Sequence, residues 1–175
     1  MAGVLRYLGT IQGKIEDVIP LTSRFTRGEH VMEFELPDLQ GRLISSKRLF
    51  KLKNKQKLLL LFLSTTCDSC RILLNSIAEL TSSAQDQAVP IVLICIGQLG
   101  DVMQMVSKYS TQLEGTHILV DQGGFVARRY GIRGVPFGMV LNKFGQVMQQ
   151  SIGPTSDWLQ NTLGGTDNER VEKTG

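Results

Sequence analysis

"FLSTTCDSCRILLNSI", residues 62–77, joins the end of an apolar run to two cysteines in Cys-x-x-Cys spacing, with a periodic apolar segment directly behind them. Such a pair serves as a redox couple, as half of a metal site or as a structural bridge. The run before it, Leu58–Leu63, is of strand length and too uniform for a strand with one wet face, which predicts a central strand covered on both sides. Behind the cysteines, Ile72, Leu73, Ile77 and Leu80 recur at helical spacing. Thr65 or Thr66 is the expected N-cap, with Thr65-x-x-Asp68 matching a capping box, so Cys67 falls in the first turn. Unpaired backbone N–H groups and the positive end of the helix dipole favour a thiolate there. Cys67 is thus the expected attacking sulfur, and Cys70, one turn on, is placed to resolve a mixed disulfide. Asp68 and Arg71 act on Cys67 in opposing senses.

Working outward, 175 residues at 42% hydrophobic content support one well-buried core. A net charge of +3 without an aromatic-interleaved basic stripe excludes nucleic acid as an expected partner. Cys67, Cys70 and Cys95 are too few for a disulfide-built scaffold. A zinc site needs four ligands, and His30 and His117 stand alone, so neither a metal nor another cofactor is expected. Cys95, inside "IVLICIG", suits a buried strand. Leu58–Leu63 is far shorter than the ~20 residues of a membrane helix, and the N-terminus lacks the pattern of a signal peptide.

Along the chain, Val4 to Val18 read as an amphipathic helix stopped by Pro20. In "VMEFELPDLQGR", Met32, Phe34 and Leu36 alternate with Glu33 and Glu35 as a half-buried strand. The basic segment "KRLFKLKNKQK" reads as a solvated loop. After the Cys-x-x-Cys helix come the strand "VPIVLICI", a helix over "DVMQMVSKYSTQL" capped by Asp101, the strand "THILVD" and a helical turn in "GGFVARRYGI". A hairpin turning at Asn142–Gly145 and a last helix carrying Trp158, Leu159 and Leu163 close the fold. The expected class is α/β, with a mixed central sheet between helices. The expected division is a helical extension or juxtamembrane segment over 1–29, a domain over 30–165 and a disordered polar tail over 166–175.

"LLFLSTTCDSCRILL" followed by "YGIRGVPFGMVLNKFGQV" resembles the thioredoxin superfamily, and "FELPDLQGRLIS" resembles the extension of its TlpA-like and peroxiredoxin-like branch. The resemblance implies a three-layer α/β/α fold and a dithiol pair, Cys67 and Cys70. It also implies a cis bond before Pro136 in the Gly131–Pro136 loop, so that Val135 and Pro136, with Thr66, bind an extended substrate. Within that branch, "LFLSTTCDSC" is most similar to membrane-tethered proteins related to the methylamine dehydrogenase maturation factor. That implies an extracytoplasmic location with the anchor missing from this sequence; otherwise the chain would be cytoplasmic. The departures from thioredoxin are Thr66 for tryptophan, Asp68 and Ser69 between the cysteines, Leu61 for a buried aspartate and Asn75 for a helix proline.

The resulting expectation is a thiol-disulfide oxidoreductase that exchanges disulfides with protein substrates and with a redox partner protein. One alternative is a thiol peroxidase with Cys67 as peroxidatic cysteine, although Leu60 stands where that motif has proline. A second is a metal-handling assembly module using the two thiolates, with His117 as a further ligand.

Overall fold

The computed structural model describes residues 23–51, 56–83 and 89–164, so the helix expected over 4–18 lies outside the described residues. The uniform apolar run forms strand β3 (Lys57–Ser64) at the centre of a five-stranded sheet. Strands β4 (Ile91–Ile96) and β5 (His117–Asp121) continue it in parallel on one side. On the other side, β6 (Phe137–Asn142) and β7 (Val147–Ile152) are antiparallel. The hairpin between them turns at Gly145, whose φ of 78° is the left-handed conformation that glycine allows. The sheet is mixed, as the alternation and the closing hairpin predict.

The run is uniformly apolar because both faces of β3 are dry. Leu59, Leu61 and Leu63 join one cluster with helix α2 (Asp68–Ser83), helix α3 (Leu99–Val106) and helix α5 (Ser156–Leu163). Leu58, Leu60 and Phe62 join the other with helix α1 (Ser46–Phe50), helix α4 (Phe125–Arg129) and the segment from Phe25 to Leu36. The architecture is therefore the expected three-layer thioredoxin-like α/β/α arrangement. Tyr130 anchors the second face, with its ring edge-on to Phe25 at 5.1 Å and tilted against Phe62 at 5.7 Å.

Several local expectations need correction. The half-buried segment keeps its alternation at Phe34 and Leu36, but its strand, β1 (Glu35–Pro37), has only three residues and pairs with β2 (Leu43–Ser45) in a separate small sheet. The basic segment is not all solvated loop. Ser46–Phe50 coils into α1, because Leu49, only 2% exposed, has a core to enter. Helix α3 starts at Leu99 after Gln98, so Asp101 sits inside its first turn rather than capping it. The helix also ends early, passing into a 3-10 turn over Ser107–Tyr109. Thr155 caps α5, its hydroxyl accepting the Trp158 N–H at 3.2 Å.

Candidate active site

Strand β3 delivers the chain to a turn closed by the Cys67 N–H on the Ser64 carbonyl at 3.2 Å, and α2 then starts at Asp68. The capping residue is therefore neither threonine but Cys67. Its carbonyl accepts the Arg71 N–H at 3.3 Å, and its Sγ accepts the Cys70 N–H at 3.2 Å. These are the bonds of an N-cap side chain, with sulfur in place of oxygen. Thr66, exposed, places its hydroxyl 3.1 Å from that of Ser64. Thr65 is held elsewhere. Its N–H donates to the Ile96 carbonyl at 3.2 Å, its carbonyl accepts from Arg71 at 2.9 Å, and its side chain rests on Gly97. A Cβ at Gly97 would lie 2.6 Å from Thr65 Oγ1, so the end of β4 is shaped to the active-site turn.

The second wall comes from the start of β6. The Val135–Pro136 bond is cis, and the Val135 carbonyl lies 3.6 Å from Cys67 Sγ. The reason is register. Phe62 of β3 pairs with Phe137 of β6, so the residues just after one strand meet those just before the other. Cys67, Cys70, Thr66, Val135 and Pro136 thus gather at one end of the sheet.

The two thiols differ in environment. Cys67 is half-buried, whereas Cys70 is buried on the sheet side of α2, and all three cysteines are unbridged. Burial, reinforced by the Cys67 sulfur, pushes the Cys70 thiol up to about 12, against a smaller lowering from the Ser64 backbone. Arg71 and Asp68 pair with each other at 2.9 Å on the surface. Leu61 is buried in the same cluster as Cys70, so this strand offers Cys70 no carboxylate. Helix α2 runs unbroken past Asn75, whose amide binds Glu79 at 2.7 Å. Cys95 is fully buried on β4, and burial, then the neighbouring Cys70, raises it to about 12.

One wall of the site was hidden by helical periodicity. Ile72 fits the spacing of core residues yet is 71% exposed, while Leu73, Leu74 and Ile77 turn inward. With Ser76, Val135, Pro136 and Ile152, Ile72 lines a groove of about 540 Å³ beside Cys67. Ile152, 51% exposed at the end of β7, carried no sequence signal, because its exposure follows from where the hairpin ends.

His117 is not part of this assembly. It opens β5, level with Val92 and Leu60, where burial and then the Arg48 charge lower its pKa. A cavity of about 430 Å³ there holds His117 and Arg48 but no thiol. Among the described residues no group of three or more His, Cys, Asp or Glu side chains could hold a metal, and no helix is long and apolar enough to cross a membrane.

Comparison with known proteins agrees with this fold. The profile described as the AhpC/TSA family matches residues 27–150. The chain is 26% identical over 133 residues to the thiol-disulfide oxidoreductase ResA of Halalkalibacterium halodurans, covering 75% of this chain and 72% of the relative. Among solved structures, the thioredoxin domain of a thiol-disulfide oxidoreductase from Bacteroides vulgatus superposes with a TM-score of 0.66 at 18% identity, over 80% of this chain and 96% of that one. A secreted Mycobacterium tuberculosis disulfide oxidoreductase homologous to E. coli DsbE gives 0.59 at 20% identity, over 75% and 94%. With a family match that spans most of the described domain and a dithiol turn set against a cis-proline loop, the chain belongs to the AhpC/TSA family and has the thioredoxin-like fold.

Proposed function

We propose that this protein is a thiol-disulfide oxidoreductase acting on protein substrates through Cys67 and Cys70. The observation that carries the reading is the position of Cys67 Sγ. It is half-buried at a helix N-terminus, 3.2 Å from the Cys70 N–H and 3.6 Å from the Val135 carbonyl, beside an apolar groove.

In the reductive direction the Cys67 thiolate attacks a substrate disulfide. One Cys67–substrate S–S bond forms, the substrate S–S bond breaks, and the leaving thiolate takes up a proton. Cys70 then gives up its proton and attacks Cys67 Sγ, closing the Cys67–Cys70 disulfide and releasing the second substrate thiolate. Two electrons pass to the substrate, and an external dithiol restores the pair. With Cys70 held protonated and Leu61 beneath it, the proton it loses balances the one taken up by the first leaving thiolate, without a side-chain base. Thr66 and the Val135–Pro136 backbone border the attacking sulfur, where an extended substrate segment would lie.

A peroxidase has less support. Leu60, where that motif has proline, is a buried strand residue, and the Ser64 hydroxyl bonds to Thr66. The location we propose is extracytoplasmic, in keeping with the relative described as secreted. A membrane tether of the kind found in relatives of the methylamine dehydrogenase maturation factor belongs to the same proposal.

The test is exchange with a disulfide-bridged peptide. Wild-type protein is expected to reduce it in the presence of a dithiol. Cys70→Ser is expected to accumulate a peptide adduct on Cys67 that added reductant cleaves. Failure to trap an adduct, with peroxide consumed instead, would overturn the assignment.

A further inference from the structure

We propose that the exposed pair Arg24 and Arg129, helped by Arg133 further along the chain toward the groove, docks an acidic segment of the partner protein that carries the reactive sulfur; this rests on the exchange reading above. Arg24 Nη1 lies 3.9 Å from Met32 Sδ, and Arg129 Nη2 lies 4.0 Å from the same sulfur. Arg24 Nη1 also donates to the Arg129 carbonyl at 3.3 Å. Two guanidinium groups therefore share one side chain as a common contact. Ion pairs among the described residues join Arg42 to Asp38, Lys47 to Glu33 and Arg71 to Asp68, and none reaches Arg24, Arg129 or Arg133. Among the described residues, like charges drawn together without an ion-paired carboxylate favour an anion between them.

The pair is held in place by the core beneath it. The buried Tyr130 donates its hydroxyl to the Met32 carbonyl, and its own carbonyl accepts the Arg24 N–H at 3.0 Å. Gly131 has a φ of 71°, and a Cβ there would lie 2.9 Å from the Arg24 nitrogen, so the two segments are fitted to each other. A binding surface fixed before the ligand arrives loses less entropy on binding.

The pair is linked to the active site through the chain. After Arg129, Tyr130–Arg133 lead to Gly134, Val135 and Pro136, which line the groove, and the exposed Arg133 directly precedes them in the chain. Guanidinium groups take carboxylates through paired, parallel hydrogen bonds, so the matching ligand is a run of Asp and Glu side chains. Complementary charge of this kind raises the encounter rate and fixes orientation.

The experiment measures fluorescence anisotropy of two labelled peptides without cysteine, one rich in Asp and Glu and one rich in Lys, against the full chain. The acidic peptide is expected to bind at low salt and the basic one not to bind. Affinity should fall at least about tenfold in Arg24→Gln/Arg129→Gln, and to a similar extent on raising salt to ~0.5 M. Arg133→Gln should weaken binding less. Equal binding of both peptides, unchanged affinity in the double variant, or capture by anionic lipid vesicles without acidic-peptide binding would each overturn the proposal. Exchange with a small uncharged disulfide should be unchanged in the double variant. Its absence from wild-type protein would remove the exchange reading, while the anisotropy result would still decide the docking surface.

Discussion

Cys67, in the turn that follows β3, and Cys95, on the neighbouring strand β4, sit in contrasting surroundings, a backbone donor beside one sulfur and hydrocarbon around the other. Leu63, four residues before Cys67, pairs in register with Cys95. Beyond Ser64 the chain turns, and helix α2 offers the Cys70 N–H to the emerging sulfur. At Cys95 the strand continues, both neighbours are apolar and the thiol is sealed beneath α2 and α3. The difference lies in whether a backbone donor or only hydrocarbon borders the sulfur, and hydrocarbon pushes the Cys95 thiol up.

The sharpest way to break this contrast is to remove each sulfur in turn. Cys67→Ser is expected to lower disulfide exchange by at least about 10³-fold, as loss of a nucleophile does, while Cys95→Ala leaves the rate within about threefold of wild type. A large loss in Cys95→Ala that its folded fraction does not explain would show the third thiol to be a reagent. Alkylation comes next. Iodoacetamide should label Cys67 in the native protein at least about a hundredfold faster than Cys95, whose labelling should follow global unfolding. Peptide mass mapping at successive times reads this directly.

A third variant tests whether β4 positions the turn. Gly97→Val places a branched side chain where Thr65 already lies within 2.6 Å, so the turn must move. The expected cost is about 1–3 kcal/mol of stability together with a fall in exchange rate, measured by urea unfolding and peptide reduction. The last test concerns pH and leaves exchange near neutral pH untouched. Burial raises the folded-state Cys95 thiol from 9.0 to about 12, so the unfolded chain ionises first. Stability is whole below pH 9 and is lost as pH rises toward 12, by about 1.4 kcal/mol per pH unit for that group. Cys70 acts in the same direction. Cys95→Ala should show a shallower alkaline decline than wild type, and identical slopes would contradict the assignment.

Much of the fold was legible because burial leaves a periodic trace. Six consecutive apolar residues read as a strand buried on both faces, and Leu58–Leu63 lies in that strand. The hairpin at Gly145, the terminal helix and the core position of Cys95 were legible in the same way. Elsewhere local pattern misled. Two threonines before a helical run looked like caps, but the turn from Ser64 to Cys67 shifts the helix start and gives that role to a cysteine. Ser46–Phe50 looked like loop because its charges outnumber its single buried leucine.

By itself, the sequence determined the strand–dithiol–helix unit and the mixed sheet, since both follow from short-range spacing of apolar residues. Resemblance to a family added the cis bond at Pro136. Only the tertiary structure decided that the Val135 carbonyl stands 3.6 Å from Cys67 across 68 residues of chain, that Ile72 and Ile152 wall a groove, and that Arg24 meets Arg129. The physical reason is that spacing records which face of an element is buried. Which residues meet at its ends depends on strand order and register, and no local pattern encodes these.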